Sequence, residues 1–298
     1  MKVMERDGAT AGALQAATVR RRAGPCRTWL AAGMLVVGGL LAGACTTVQT
    51  TEGGAIGLDR KQRMSTLVSE EELQKGAVAA YNEVLTKEKA EGDLNADPAM
   101  TARVRAIAQR LIPQTGVFRA DAPKWKWEVN VIKSDELNAW CMPGGKIAFY
   151  SGIITRLKLT DAEIAAIMGH EIAHALREHA RERASEQATT GLVVGVGAAI
   201  LGAGQVGADL TQMAYHAVFG LKHSRLHETE ADRIGVELAA RAGYDPRAAI
   251  TLWEKMSAAA GSGSGPEFLS THPSPESRIA DLRDYSARVM PLYEKARK

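Results

Sequence analysis

The chain has 298 residues, 46% of them hydrophobic, with 37 Lys+Arg against 34 Asp+Glu for a formal charge of +3. That length can bury a sizeable core in one large domain or two small ones. The apolar fraction and a mean hydropathy of −0.14 exclude a mostly disordered chain and a multi-span membrane protein. Three cysteines, an odd number, exclude a disulfide scaffold.

Residues 1–44 read as a leader. Lys2, Arg6, Arg20, Arg21, Arg22 and Arg27 outnumber Glu5 and Asp7, and an uncharged apolar run from Trp29 to Ala44 follows. A basic flank before a short apolar stretch is the pattern of a secretory signal peptide, and the stretch is short for a transmembrane helix. It ends Leu41-Ala42-Gly43-Ala44-Cys45. Small residues before a cysteine resemble the lipobox of bacterial lipoproteins, which implies acylation of Cys45. Plain signal cleavage near Ala44, with Cys45 an ordinary thiol, is the other reading. Without the six basic and two acidic residues of the leader, totals of 31 and 32 remain, a net of −1 over 254 residues. No basic excess is left to suggest a nucleic-acid partner. Cys141 becomes the one unmodified thiol, so no internal disulfide is expected even in an oxidising compartment.

Residues 45–68 are polar and weakly periodic, and read as a lipidated tether leading into a domain over 69–298. Ser69 is placed to cap a helix with Glu70, Glu71 and Glu72 in its first turn, and Leu73, Ala77, Ala80, Tyr81, Val84 and Leu85 form its apolar face. Asp97-Pro98 opens a second helix. Trp125, Trp127, Val129 and Val131 alternate with Lys126, Glu128 and Asn130 as in a strand. A Pro143-Gly144-Gly145 turn then precedes a strand from Lys146 to Tyr150. Most of the remainder is helical. The Gly-punctuated apolar stretch 189–208 reads as a buried or cleft-covering helical hairpin, with partial membrane contact as the alternative, and 259–266 as a flexible loop. The expected fold is α+β, helix-dominated with a small sheet.

All seven histidines lie between 170 and 272, and the sharpest local motif is His170-Glu171-Ile172-Ala173-His174. Thr160 and Glu163 form a capping box at the start of its helix. An i,i+4 spacing turns through about 400°, so His170 and His174 point the same way and can share one Zn²⁺. Glu171 is offset by one residue, placed to act on water as a general base. A third ligand is needed. In His227-Glu228-Thr229-Glu230-Ala231-Asp232-Arg233, Glu228 and Asp232 are i,i+4. Glu228 is assigned as the ligand, and Asp232 as the acceptor for the free N–H of a ligand imidazole. Glu230, nearly opposite Glu228 on the helix, and Glu237 read as a solvated face. His179, rotated about 140° from His174, reads as solvent-facing. His216, His223 and His227 offer a weaker rival metal face, 223 and 227 being i,i+4.

His-Glu-x-x-His followed by Glu-x-x-Ala-Asp resembles the gluzincin endopeptidases of metallopeptidase family forty-eight, the HtpX, OMA and CAAX-protease relatives, including the periplasmic BepA/LoiP-like lipoproteins. Asn138-Ala139-Trp140-Cys141-Met142-Pro143-Gly144-Gly145-Lys146-Ile147 is similar to the family's Asn-Ala-x-x-x-Pro-Gly-Gly-x-Ile segment. Ser224-Arg225 is similar to its Ser-Arg pair, and Ser270-Thr271-His272-Pro273 with Arg278 resembles a C-terminal segment of the periplasmic members. The resemblance covers roughly residues 70–290 and implies a zincin-like domain with one Zn²⁺.

In that family the 138–147 segment supplies an edge strand bordering the metal. Asn138, Pro143, Gly144 and Gly145 would then guide an extended peptide, a plain β-turn being the alternative. His272 would be a removable fourth ligand that holds the enzyme closed, or else a loop histidine. Unfolded or misassembled envelope proteins are the implied substrates, in the bacterial periplasm and with a lipid anchor to the outer membrane. A mainly autoinhibited, chaperone-like factor working with the outer-membrane assembly machinery is the alternative.

Overall fold

The computed structural model describes residues 45–66, 68–187, 216–220, 223–260, 267–272 and 276–298. The leader, the 189–208 hairpin and residues 261–266 of the expected loop lie outside the described residues. Helix α1 (Glu70–Glu91) starts where the Ser69 hydroxyl accepts from the Glu72 amide and stops at Gly92, φ 79°. Helix α2 (Pro98–Leu111) starts where the Asp97 carboxylate accepts from the Met100 amide, with Pro98 at its first position. Both apolar faces turn inward, burying Leu73, Ala77, Ala80 and Tyr81 from one and Val104, Ile107, Ala108 and Leu111 from the other.

A three-stranded sheet packs against these helices and, through one edge strand, against the helix of the metal motif. Its strands β3 (Glu128–Ile132), β4 (Ala139–Met142) and β5 (Lys146–Tyr150) run in the order β3-β5-β4. β3 is parallel to β5, pairing Val129 with Ile147, and β4 is antiparallel to it, pairing Cys141 with Ile147. β4 is therefore an edge strand. Gly144 and Gly145 turn the chain between β4 and β5 with φ near 80° at both, a conformation that side chains disfavour.

Trp125 and Trp127, expected in the first strand, precede it. Trp125 ends a short 3-10 turn over Ala122–Lys124. The two indoles stack at 5.5 Å, and their N–H groups donate to Asp121 Oδ2 (2.9 Å) and to the Ala122 carbonyl (2.8 Å). Those local bonds compete with strand pairing.

Helix α3 (Ser151–Arg156) leads to α4 (Asp161–Leu176), whose start carries the capping box. The Thr160 hydroxyl accepts from the Glu163 amide, and the Glu163 carboxylate accepts from the Thr160 amide. Every residue from Glu163 to Leu176 is buried, so α4 is the central helix. Against it pack α5 (Arg225–Arg241) and α6 (Ala248–Ala260), and α8 (Glu276–Ala296) packs on both of these, with the short α7 (Glu267–Thr271) before it. No helix among the described residues is long and apolar enough to cross a membrane.

The segment expected to run free as a tether packs on this domain. Strands β1 (Cys45–Val48) and β2 (Gln62–Ser65) pair antiparallel, Cys45 opposite Ser65. Met64 and Ile56 are buried, and so is Gln62. Gln62 Nε2 donates to the Arg177 carbonyl (2.6 Å) and to Glu182 Oε2 (2.7 Å). Weak periodicity concealed a segment that is held by polar contacts rather than by an apolar stripe.

Candidate metal centre

Helices α4 and α5 touch backbone to backbone. A Cβ on Gly169 would lie 2.8 Å from the Gly235 carbonyl oxygen, and one on Gly235 would lie 2.8 Å from the His170 amide nitrogen. That approach sets His170 and His174 of α4 against Glu228 and Asp232 of α5. The Nε2 atoms of His170 and His174 are 3.0 Å apart. Glu228 Oε2 is 3.6 Å from the first and Glu228 Oε1 is 3.5 Å from the second. His272 enters from the end of α7, its Nδ1 3.2 Å from His170 Nε2 and 2.9 Å from Glu228 Oε1. Four buried residues thus present four donor atoms within 4.8 Å of one another.

These separations suit a tetrahedral zinc site. Bonds of about 2.0–2.1 Å put neighbouring ligand atoms roughly 3.3 Å apart. With both rings carrying their proton on Nδ1, the two Nε2 lone pairs face each other at 3.0 Å, and a cation between them removes that repulsion. Glu171 Oε1 is buried beside the cluster without a hydrogen-bond partner, and its nearest ring nitrogen is His272 Nε2 at 3.5 Å. The donor set and this open carboxylate oxygen fit a hydrolytic zinc centre.

The outer contacts are charged. Asp232 Oδ1 accepts from His170 Nδ1 at 2.9 Å. Arg278, on α8, donates to both Asp232 oxygens (2.6 and 2.7 Å) and reaches Glu228 Oε2 at 2.7 Å. Trp253 lies flat against its guanidinium at 3.8 Å. Burial opposes ionisation of Glu228 and Asp232, but the facing imidazoles and Arg278 outweigh it, and both carboxyls are held below their usual range. Burial pushes the Glu171 carboxyl up. Burial also drives the His174 ring well below the ordinary imidazole value, which keeps its lone pair available to a metal.

His179 and Glu230 are corrections. His179 is fully buried, not solvent-facing: its Nδ1 meets His174 Nδ1 at 2.8 Å and its Nε2 meets Glu230 Oε2 at 3.0 Å. Counting 100° per residue fails because α4 ends at Leu176. Glu178 adopts φ 50°, and a new helical turn from 179 swings His179 back toward His174. Glu230 does face away from Glu228, but that side of α5 is covered. Arg177 donates to it at 3.1 Å and Arg60 at 2.9 Å. Glu237, also expected in solvent, is buried and accepts from the Ala55 and Ile56 amides, each at 3.0 Å. The segment 45–66 covers this face. Nothing in the acidic helix pattern signals it, because the cation that meets Glu230, Arg60, lies 170 residues earlier in a polar stretch.

A cleft opens over the cluster. Asn138, Ala139, Cys141, Pro143 and Gly144 form one wall, beside Glu171, His174, His223 and His272. Gly145 packs against Trp127 instead, where a Cβ would come within 2.5 Å of the indole. The Cys141 thiol is raised by burial and by the nearby Glu171 charge, as suits an unreactive thiol.

His223 Nδ1 accepts from Arg183, and its ring lies nearly parallel to that of His272, 4.6 Å away. A further cluster, His179, Glu182 and His227, reads better as an ion-pair network than as a metal site. The two rings stack at 4.2 Å and 17°, so their in-plane lone pairs run side by side, and Arg60 already neutralises Glu182 at 2.7 Å.

Comparison with known proteins decides the family. The profile of Peptidase family M48 matches residues 98–286. The chain belongs to this family. Mitochondrial metalloendopeptidase OMA1 of Schizosaccharomyces pombe is 36% identical over 211 residues, 69% of this chain and 58% of the relative. The Beta-barrel assembly-enhancing protease of Escherichia coli is 31% identical over 206 residues, 66% and 41% respectively. The chain thus spans about half the length of these relatives. M48 membership implies a metal, and the M48 match contains every residue of the cluster, including His272.

Proposed function

We propose that the chain is a zinc-dependent endopeptidase, with His170, His174 and Glu228 holding one Zn²⁺ and Glu171 as general base. The observation that carries this is the convergence of two imidazole Nε2 atoms and one carboxylate beside the unpartnered Glu171 Oε1. Zinc, when bound, polarises the scissile carbonyl and makes water acidic near neutral pH. Glu171 Oε1 takes the proton of the attacking water and passes it to the leaving amine. Its raised pKa suits that return step. Asp232 fixes the tautomer of His170 with its lone pair on Nε2. The outer edge of β4, which pairs with no further strand among the described residues, can receive an extended peptide through backbone bonds, which tolerates many sequences.

We propose extended segments, such as those of unfolded or misassembled envelope proteins, as substrates; the edge strand and the likeness to the Beta-barrel assembly-enhancing protease of Escherichia coli support this. A signal-directed, Cys45-lipidated form in the bacterial periplasm, on the outer membrane, completes the reading. The test is metal content together with cleavage of an unfolded protein, for wild type and Glu171→Gln. Zinc at one equivalent with cleavage lost only in the variant supports the mechanism. Undiminished cleavage by Glu171→Gln sinks it.

His272 favours a second reading, an autoinhibited assembly factor that uses the cleft mainly for binding. Its Nδ1 occupies the fourth donor position, where an attacking water would otherwise bind, and its Nε2 lies 3.5 Å from Glu171 Oε1. His272→Ala separates the two: a rise in cleavage supports the protease, and zinc-loaded protein that still cleaves nothing supports the binding factor.

A further inference from the structure

We propose that His179 is a positioning residue for His174, and that the amino-terminal segment 45–66 completes the metal centre through Arg60. The proposal rests on His174 being a metal ligand through Nε2. That assignment leaves the ring proton on Nδ1. Nδ1–H points at His179 Nδ1, 2.8 Å away, which must then be the accepting nitrogen. His179 carries its own proton on Nε2 and donates it to Glu230 Oε2 at 3.0 Å. Each tautomer is fixed by its neighbour, and the chain runs in one direction, from His174 to His179 to Glu230.

The chain ends on a carboxylate that is itself immobilised. Arg177 reaches both Glu230 oxygens, at 3.1 and 3.2 Å. Arg60 reaches Glu230 at 2.9 Å and also grips Glu182. His179 and Glu230 are both at most 2% exposed, so water cannot substitute for a lost partner. His170 has the shorter arrangement, a carboxylate directly on Nδ1. His174 obtains the same carboxylate support one imidazole further out, and the last cation comes from a segment that precedes the family match.

Outer hydrogen bonds of this kind typically set metal affinity by about 10–100-fold. The test measures zinc dissociation constants by chelator competition on the full chain, for His179→Phe, His179→Gln, Glu230→Gln and Arg60→Met. Cobalt(II) absorption spectra report ligand-field geometry in the same variants. His179→Phe keeps the ring and removes the acceptor, so it should weaken zinc about 10–100-fold and shift the cobalt bands. His179→Gln, whose amide oxygen can accept, should recover most of the loss. Arg60→Met should weaken zinc by a smaller factor without touching any ligand. His174→Ala is the control: if zinc affinity survives it, the ligand assignment fails rather than the positioning role. If His174→Ala abolishes binding while His179→Phe binds zinc as wild type, the proposal is wrong. Should His179→Phe not fold, wild-type affinity in both Glu230→Gln and Arg60→Met overturns it equally.

Discussion

Gly169 and Gly235 face each other at the crossing of the two helices that carry His170, His174 and Glu228, the proposed zinc ligands, with no room for a Cβ on either. Gly169→Ala should push α5 away from α4. Overpacking of this kind costs about 1–3 kcal/mol, and the displacement separates His170 and His174 from Glu228. Denaturant unfolding and zinc titration should both register it, and an unchanged midpoint with unchanged zinc affinity would show that the helices have slack.

Glu171→Gln preserves volume and removes the proton acceptor. Cleavage of an unfolded protein should fall by about 10²–10⁴-fold, with zinc stoichiometry held at one by metal analysis.

Arg278 supplies the cation for two buried carboxylates at once. Arg278→Leu leaves Asp232 and Glu228 without it, and loss of one partner from a buried charge cluster costs about 3–5 kcal/mol. Arg278→Lys should recover only part, because an ammonium cannot span both carboxylates. Thermal unfolding of the metal-free proteins measures this apart from zinc binding.

Acid should loosen the covered side of α5 first. Despite the opposing effect of burial, Arg60 together with His227 holds the Glu182 carboxyl far below its usual range, and Arg60 with His179 does the same for Glu230. Depressed folded-state values contribute stability that is fully present above the unfolded carboxylate pKa, about 4.3, and is lost as pH falls through the folded values. Unfolding midpoints should therefore drop steadily below about pH 4.5, and the slope should be shallower in Arg60→Met. Equal slopes for the two proteins would show that these carboxylates are not the acid-sensitive element.

Chelation tests the metal as part of the fold. A ligand that binds only the native state stabilises by about 2.7 kcal/mol at a hundredfold excess over its dissociation constant. A strong chelator should lower the unfolding midpoint of wild type and leave His174→Ala, already weakened in zinc binding, nearly unmoved.

The helix carrying His170 and His174 was legible because its signals are local: a capping box, a helical apolar period, and two histidines one turn apart. The same holds for the Ser69 and Asp97 caps and for the strand after Pro143-Gly144-Gly145. What escaped depended on distant partners. The left-handed Glu178 reset the helical phase, so spacing could not place His179. The burial of Glu230 depended on Arg60, 170 residues earlier. Trp125 and Trp127 alternated like a strand but spent their N–H groups on a turn. Periodicity sees one element at a time, and these features are properties of pairs.

β1 begins at Cys45 and is paired to β2, whose neighbour Arg60 grips Glu230. With a lipid on Cys45, almost no slack would separate the anchor from the catalytic body. The cleft would then ride within a few nanometres of the bilayer instead of sweeping a wide volume on a leash. Substrates would have to come to the membrane surface, and lengthening the chain just before Thr46 would extend the reach of the enzyme without altering its chemistry.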